Sequence, residues 1–327
     1  MVTEKKVLTQ NDRFRGALVG VLAGDALGAP YETWKAADVV ADLEKRGGLV
    51  GFDYPNPWFG KTEDTETFPM GRPTDDSDHT AALAQSLLAS NGLIEADLFY
   101  RLRDIVVNHK SPLWNGKALG AGGTTRKMLA PATYSESQAL SSEGAIPTNG
   151  STMRAAPMAL YFAAKHGGQV NERLISQMSS VTHRNPLSGE CCFVYISILA
   201  KMLVGMKHEE SIARTADYPG LSQVMNDMLD NVFEHPRDPW PHTGAALLSL
   251  HVSLWTLLTT TSFRDGITKV VALGGDTDTY GAIAGGLLGA HYGLSGIPQD
   301  WQDILIGKDV MIHLADEFCI MANENAR

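Results

Sequence analysis

Two short acidic turns gather carboxylate and hydroxyl groups within a few residues of each other. The first turn is Thr74-Asp75-Asp76-Ser77-Asp78, and the second is Gly274-Gly275-Asp276-Thr277-Asp278-Thr279. Hard divalent cations such as Mg²⁺ and Mn²⁺ prefer oxygen ligands of these kinds. Adjacent acids repel one another, and a bound cation removes that repulsion. If the two turns meet in space, they supply enough carboxylates for a binuclear metal site.

A helix start is the alternative interpretation of either turn. Asp, Ser and Thr are favoured N-caps, and acids in a first helical turn suit the helix dipole. One such cluster alone would favour the capping interpretation. Two clusters of matching character, each leading into a helix rich in small residues, favour a shared metal site.

A third acid, Glu32, follows the apolar segment 16–29. Pro30 predicts the end of the helix at this point, which leaves Glu32 in a loop. A loop carboxylate on a rigid support is well placed for acid/base chemistry. Taken alone, Glu32 could equally be an exposed surface glutamate.

Helical periodicity dominates the segments that must position these residues. Apolar residues recur at three- and four-residue steps, Asn91-Gly92 is a stop signal, and Ser262 is a candidate N-cap. Strand evidence is thin, and residues 49–52 are expected to be loop. The predicted helices are 12–29, 77–90, 158–165, 189–202, 244–258 and 276–292, with one more starting after Ser262.

Glycines recur every four residues in two of these helices. The first repeat is Gly16, Gly20, Gly24 and Gly28, and the second is Gly281, Gly285, Gly289 and Gly293. Each glycine costs about 1 kcal/mol relative to alanine inside a helix. A spacing of four places them on one face, where another backbone can approach closely. The spacing predicts two helices in the crowded centre, packed against each other; the alternative is that some glycines only end helices.

Composition favours an ordinary folded protein of 327 residues with 44% hydrophobic residues. The net charge of −10 argues against a nucleic-acid partner, since proteins that bind nucleic acids usually carry excess Lys and Arg. Three cysteines form no disulfide framework and are expected to be buried thiols in a reducing compartment. Residues 1–13 contain no apolar signal segment, and 244–258 is too short to span a bilayer. These features predict a cytoplasmic location and no membrane partner.

No linker or repeat of solenoid period divides the chain. The sequence therefore predicts a single domain over residues 1–327, with 1–10 as a flexible N-terminal segment. The acidic turns lie near opposite ends of this domain, so its ends are expected to meet in space. Loops around 52–72 and 131–150 are expected to form the walls of a cleft.

Four motifs together resemble those of the ADP-ribosylglycohydrolase family, which includes dinitrogenase reductase-activating glycohydrolases. They are GALVGVLAGDALGAPYE, TDDSDHT, NGSTMRAAP and GGDTDTYGAIAGGLLGA, in that order, and they span most of the chain. The resemblance implies an all-α fold, a compact single-domain orthogonal helical bundle. It also implies two Mg²⁺ (or Mn²⁺) ions at the base of an ADP-ribose cleft.

The resemblance also assigns roles to individual residues. It implies metal ligands at Thr74, Asp75, Asp76, Asp276, Asp278 and Thr279. It implies catalytic roles for Glu32, Asp76 and Asp278, with Asp278 as a bridging carboxylate. It implies substrate-binding roles for Gly120, Gly122 and Gly123, for the turn Asn149, Gly150, Ser151, Thr152 and Met153, and for His183.

Two positions depart from the family pattern. Some relatives carry a catalytic aspartate where this chain has Gly120, which leaves Glu32 as the stronger acid/base candidate. Relatives often carry methionine where this chain has His79. His79 is expected either to support a metal ligand or to pack in its helix.

The implied reaction is hydrolysis at C1″ of the distal ribose of an ADP-ribosylated protein or small molecule, with release of ADP-ribose. Arginine, serine and other linkages all remain open, and so does the oligomeric state. The alternatives are another binuclear-metal phosphoesterase, a non-catalytic ADP-ribose-binding or structural family member, and a protein that blocks a toxin by contact.

Overall fold

The computed structural model describes residues 8–49, 71–141, 146–236 and 244–325, and these form an all-α structure. The described residues contain no β-strand, only two isolated bridges. The helices, in chain order, are α1 Gln10–Gly28, α2 Ala36–Arg46, α3 Asp75–Ser90, α4 Glu95–Asn108, α5 Gly123–Leu129, α6 Tyr134–Gln138, α7 Ala156–His166, α8 Glu172–Ser180, α9 Pro186–Leu203, α10 His208–Ala216, α11 Gln223–Asp230, α12 Gly244–Thr259, α13 Phe263–Val271, α14 Thr277–Tyr292, α15 Gln299–Gln302 and α16 Lys308–Asn325.

Helices α1 and α14 form the centre of the bundle and are packed directly against each other. A Cβ atom added to Gly20 would overlap the backbone of Gly285, and one added to Gly24 would overlap Gly281. Because ascending positions of α1 meet descending positions of α14, the two helices are antiparallel. The predicted close packing of the glycine repeats is therefore confirmed, and it is backbone against backbone.

Both central helices are apolar around most of their circumference. Every residue of α1 from Gly16 to Gly28 is buried, as is every residue of α14 from Thr277 to Ala290. A helix without a polar face must be covered on all sides. Helices α16, α13, α12, α7 and α3 pack around the central pair and provide that cover.

The antiparallel register brings the two chain regions with functional candidates together. The end of α1 at Gly28 packs against Thr277, the first residue of α14, and Thr277 Oγ1 donates to Gly28 O at 2.8 Å. A single 3₁₀ turn, Ala29–Tyr31, follows α1 and leads to Glu32. Glu32 consequently lies beside the first turn of α14, in the loop that Pro30 predicts.

The predicted helices all exist, with small differences at their ends. Asn91 ends α3 in the left-handed conformation (φ 51°), and Ser262 caps α13 by accepting from Asp265 N at 3.1 Å. Residues 1–7 and 50–70, with most of one expected cleft wall, lie outside the described residues, and α1 already begins at Gln10. Several amphipathic helices were not predicted, although α4 carries a clear helical spacing in Leu98, Leu102 and Ile105.

Two apolar helices lie inside the protein. Among the described residues, only α9 is long and apolar enough to cross a membrane, and 72% of it is buried within the fold, as in a core helix. The interior residues of α12, such as Leu247, Leu250 and Leu254, are also buried, as expected for 244–258. Cys191 and Cys192 are buried free thiols, whereas Cys319 is a partly exposed one.

Candidate active site

A cleft of about 200 Å³ opens where α1 ends and where α3 and α14 begin. Its walls are the glycine-rich segment before α5, the turn before α7, and His183. Three kinds of residue line it: carboxylates at the base, glycines and threonines on one wall, and neutral polar groups on the other. They are Glu32, Asp75, Asp76, Gly120, Gly122, Gly123, Thr124, Thr125, Thr148, Asn149, Gly150, Met153, His183, Asp276, Asp278 and Thr279.

Backbone hydrogen bonds hold the Glu32 loop against the turn before α14. Thr33 N donates to Gly275 O at 2.7 Å, and Gly275 N donates to Trp34 O at 2.9 Å. Gly274 and Gly275 have φ values of 65° and 78°, a region that glycine adopts without strain. The loop and the turn therefore form one rigid unit, with Glu32 beside Asp276 and Asp278.

Glu32, Asp276 and Asp278 could hold one metal ion together. A carboxylate oxygen from each of these three residues lies within 4.8 Å of the other two. Asp278 Oδ1 also accepts from Thr279 N at 2.8 Å, and Asp276 Oδ2 accepts from Asn149 Nδ2 at 2.6 Å, which fixes the carboxylates in place.

Asp75 and Asp76 reach the same cleft from the first turn of α3. Asp76 Oδ1 is buried and has no hydrogen-bond partner among the described residues. A buried carboxylate oxygen without a partner is costly unless a cation coordinates it. The carboxylates at the base of the cleft offer only oxygen donors, and one of these, Asp76 Oδ1, lacks a hydrogen-bond partner in the described part of the chain. They therefore suit a hard divalent ion such as the expected Mg²⁺ or Mn²⁺.

The charges of this cluster raise one another's pKa values. Burial first, and then Asp276 and Asp25, raise the pKa of Glu32 to about 7. Burial and neighbouring carboxylates hold the pKa values of Asp75, Asp76 and Asp278 well above their usual range. The anionic forms of these groups are thus disfavoured together, and a divalent cation would lower their pKa values again.

Asp25 is a functional residue for which sequence reasoning proposed no role. It lies in α1 with no exposed surface, and its carboxylate accepts from Thr74 N at 3.0 Å, Ser77 N at 3.0 Å and the hydroxyl groups of both residues. The Asp25 carboxylate therefore binds the backbone and hydroxyl groups at the N-terminus of α3. The available signal was an aspartate inside an otherwise apolar helix.

Thr74 lies behind the cleft rather than on its surface. Its hydroxyl is 2.8 Å from Asp25 Oδ1 and 3.1 Å from Asp76 Oδ2, and it can donate to only one of them at a time. Asp78, on the other side of the same turn, accepts from the Ser111 hydroxyl, and burial raises its pKa to about 7. The structure thus places Asp75 and Asp76 in the cleft, with Thr74 and Asp78 supporting them.

The turn Asn149–Met153 presents only part of itself to the cleft. Asn149, Gly150 and Met153 line it, whereas the side chains of Ser151 and Thr152 are fully buried and contact Cys192 Sγ. The N–H groups of Thr152 and Met153 donate to Asn149 O at 2.8 and 3.0 Å. These two N–H groups are used within the turn and are not available to a ligand in this conformation.

Gly120 occupies a position that only glycine can occupy in this conformation. Its φ is 114°, and a Cβ atom there would overlap Asp75 Oδ1 and lie 3.4 Å from Asp75 Cγ. The loop thus contacts the Asp75 carboxylate directly. An acidic side chain at this position would displace Asp75.

His79 is completely buried, one turn of α3 after Asp75. Its Nδ1 lies 3.8 Å from Asp75 Oδ2, and neither ring nitrogen has a hydrogen-bond partner among the described residues. Burial and the nearby charge of Arg154 hold the pKa of His79 well below its usual range. A neutral His79 packs beneath the cleft and does not line it.

Comparisons with known proteins show which family the whole chain resembles. A family model described as ADP-ribosylglycohydrolase matches residues 6–327. The chain is 26% identical to an ADP-ribosylarginine hydrolase, Tri1, of Serratia proteamaculans, over 96% of this chain and 80% of the relative. It is 27% identical to an ADP-ribosyl-[dinitrogen reductase] glycohydrolase of Rhodospirillum rubrum, over 89% of both chains.

A solved structure is also similar to this one. It is described as an ADP-ribosylglycohydrolase-related protein complex, with a TM-score of 0.73 and 27% sequence identity. The similarity covers 96% of this chain and 99% of the other. The expected all-α fold class is confirmed by this match and by the helices described above.

Proposed function

Because the chain belongs to the ADP-ribosylglycohydrolase family and is a glycosidic-bond hydrolase, we propose that it hydrolyses the bond at C1″ of the distal ribose in an ADP-ribosylated target, with two Mg²⁺ or Mn²⁺ ions in the cleft. The single observation that supports this most strongly is the convergence of Glu32, Asp276 and Asp278, from opposite ends of the sequence, with Asp75 and Asp76 in one cleft.

The residues that would hold the metal ions are the carboxylates of the two acidic turns. Asp75 and Asp76 come from α3, and Asp276 and Asp278 come from the start of α14. Divalent ions held there would orient the ribose hydroxyl groups and lower the pKa of a bound water. Asp278 is the proposed bridging carboxylate.

Glu32 would move the proton in this scheme. It is half-buried, lines the cleft, and lies within 4.8 Å of the proposed metal ligands Asp276 and Asp278. A carboxyl group there can transfer a proton to the leaving atom of the target or accept one from the attacking water. The Thr33–Gly275 and Gly275–Trp34 hydrogen bonds keep Glu32 in position for this step.

The cluster of negative charge would also favour the transition state. Glycoside cleavage passes through a state that resembles an oxocarbenium ion, with positive charge on the ribose. Carboxylates already fixed around that ribose stabilise the charge as it develops. Asp276 and Asp278 are fixed by Asn149 and by Thr279 N, so little reorganisation is needed.

The target is proposed from two related proteins. The Serratia relative is named for ADP-ribosylarginine and the Rhodospirillum relative for ADP-ribosylated dinitrogen reductase. An ADP-ribosylated protein is therefore the proposed partner, with arginine as the first linkage to test and serine as the second.

The test is hydrolysis of arginine- and serine-linked ADP-ribosyl peptides in H₂¹⁸O, with and without Mg²⁺, followed by mass spectrometry. The proposal predicts unmodified peptide and ADP-ribose labelled at C1″, only with metal. Asp278→Ala should be inactive. Asp230→Asn, which removes an exposed acid at the end of α11, is the matched control and should retain activity.

Other products would point to the rival functions. Labelled AMP or ribose phosphate would show a phosphoesterase and would contradict the proposal. Binding of ADP-ribose without cleavage of either peptide or of a small-molecule ADP-riboside would indicate a non-catalytic family member.

A further inference from the structure

A fully buried arginine lies directly behind the wall of the cleft. Arg154 follows the turn Asn149–Met153 and precedes α7. Its Nη1 donates to Gly150 O at 2.8 Å, and its Nη2 donates to Thr182 Oγ1 at 2.7 Å. Arg154 therefore ties the turn before α7 to the segment after α8, and both of these line the cleft.

Arg154 has no ion-pair partner within the described ranges of the chain. Its two acceptors are neutral, and its Nε is buried without a hydrogen bond. Burial lowers the pKa of Arg154 to about 10, which still leaves it protonated at neutral pH. An unpaired buried charge is costly and calls for a nearby compensating charge. The Asp75 carboxylate supplies part of it, because its charge raises the pKa of Arg154, and an anion bound in the cleft would supply more.

The bond to Gly150 O also orients the neighbouring peptide group. In a trans peptide the C=O and N–H groups point in opposite directions. Since Gly150 O faces Arg154, the N–H of Ser151 points away from the guanidinium. A charged donor on the carbonyl strengthens this hydrogen bond and so fixes the plane of the Gly150–Ser151 peptide group at the cleft wall.

The hydrogen bond from Arg154 to Thr182 influences which nitrogen of the His183 ring carries the proton. Thr182 Oγ1 accepts from Arg154 and lies 2.8 Å from His183 Nδ1. Donation of the Thr182 proton to Nδ1 would use this hydroxyl fully and place the ring proton on Nε2. This edge of the ring faces Gly150, where an added Cβ would lie 2.9 Å from Nε2. Burial and Arg154 lower the pKa of His183 to about 3, so the ring stays neutral.

We propose that Arg154 is a positioning residue that fixes the Gly150 turn and His183 as one wall of the cleft, against which a diphosphate binds, and that its buried charge helps to compensate the charge of that ligand. The proposal rests on the proposed function, because ADP-ribose is the diphosphate considered. Arg154 does not touch the ligand. It acts through Gly150 on one side and through Thr182 and His183 on the other.

The test compares the binding of ADP-ribose and of Mn²⁺, each measured alone by titration calorimetry. Arg154→Met should weaken ADP-ribose binding at least tenfold, and Arg154→Lys should weaken it less, because lysine keeps the charge. Mn²⁺ affinity should change less than threefold in both. Met225→Ala, a cavity in helix α11 at a residue that does not line the cleft, controls for a general loss of thermal stability and should bind ADP-ribose normally.

A second variant does not depend on how well Arg154 variants fold. Thr182→Val keeps the side-chain shape but removes the hydroxyl group between Arg154 and His183. In ¹⁵N NMR of the histidine rings, assigned with His183→Gln, the wild-type ring should be the neutral Nε2–H tautomer. Thr182→Val should lose that preference and should bind ADP-ribose several-fold more weakly.

The outcomes separate this proposal from the proposed function. A wild-type protein that neither binds ADP-ribose nor hydrolyses either ADP-ribosyl peptide would overturn both. A wild-type protein that hydrolyses the peptides but does not bind ADP-ribose would overturn only the role of Arg154. Normal wild-type binding, with equal binding by a folded Arg154→Met or by Thr182→Val, would overturn only the role of Arg154. So would a wild-type His183 protonated at Nδ1, or a loss of ADP-ribose affinity that tracks thermal stability across all variants, including Met225→Ala.

Discussion

The contact between the central helices predicts that Gly20→Ala destabilises the protein. Inside an ordinary helix this substitution would stabilise by about 1 kcal/mol, since alanine is the better helix former. Here the new methyl group would lie more than 1 Å closer to Gly285 O than the 3.4 Å of an ordinary contact. Both atoms belong to rigid helices, so α1 and α14 must move apart.

Overpacking that forces the backbone to shift costs about 1–3 kcal/mol. We therefore expect Gly20→Ala to lower the free energy of unfolding, despite its helix propensity, by roughly 1–3 kcal/mol. Separation of the helices also moves Glu32 away from Asp278. A misplacement of about 1 Å can reduce turnover about 100-fold.

The measurement is urea unfolding together with hydrolysis of an ADP-ribosyl peptide. Gly189→Ala is the matched control, because Gly189 lies in helix α9 and an added Cβ there meets no atom within 4 Å. It should be as stable as the wild type or up to about 1 kcal/mol more stable. If Gly20→Ala were as stable as Gly189→Ala, the central packing would not be as described.

Three further predictions concern the cleft. Glu32→Gln should reduce kcat by about 100-fold or more while changing Mn²⁺ affinity little, and an equal loss of both would make Glu32 a ligand rather than a proton donor. Gly120→Asp should abolish metal binding, because its side chain would overlap Asp75. It should also lower the free energy of unfolding by about 1–3 kcal/mol, because φ is 114° at this position. Increased turnover in this variant would contradict the prediction. In metal-free protein, Glu32 and Asp78 keep protons that the unfolded chain has lost, since their pKa values are raised to about 7. These protons are lost from the folded protein as pH rises from about 6 to 8, so their contribution to the free energy of unfolding falls over that range. Histidines of the unfolded chain lose protons near pH 6.5 and act in the opposite direction, so the measurement is the stabilisation by saturating Mg²⁺ in thermal melts, which should grow over the same range.

Much of the fold was predictable because regular spacings in the sequence, above all of glycine, correspond to helix faces. The four-residue spacing of Gly16–Gly28 and Gly281–Gly293 fixed one face of each helix, and the cost of so many glycines demanded a close partner. Pro30 placed Glu32 just beyond the first helix. Spacing alone does not define a register, however, and the pairing of Gly20 with Gly285 required the structure.

The supporting residues of the site could not be predicted in the same way. Asp25 and Arg154 are single polar residues in apolar surroundings, and the sequence does not say which backbone groups they meet. In the fold, Asp25 binds the start of α3 and Arg154 binds Gly150 O and Thr182. Likewise, no local pattern shows that the N–H groups of Thr152 and Met153 are used within their own turn.

The central claim is that the turns at Asp75–Asp76 and Asp276–Asp278 share divalent ions. Mn²⁺ titration followed by electron paramagnetic resonance tests it directly. We predict two Mn²⁺ per chain with an exchange-coupled spectrum in the wild type, and loss of the coupling in Asp278→Ala. Two isolated Mn²⁺ signals that Asp278→Ala leaves unchanged, or no stoichiometric binding at all, would contradict the account.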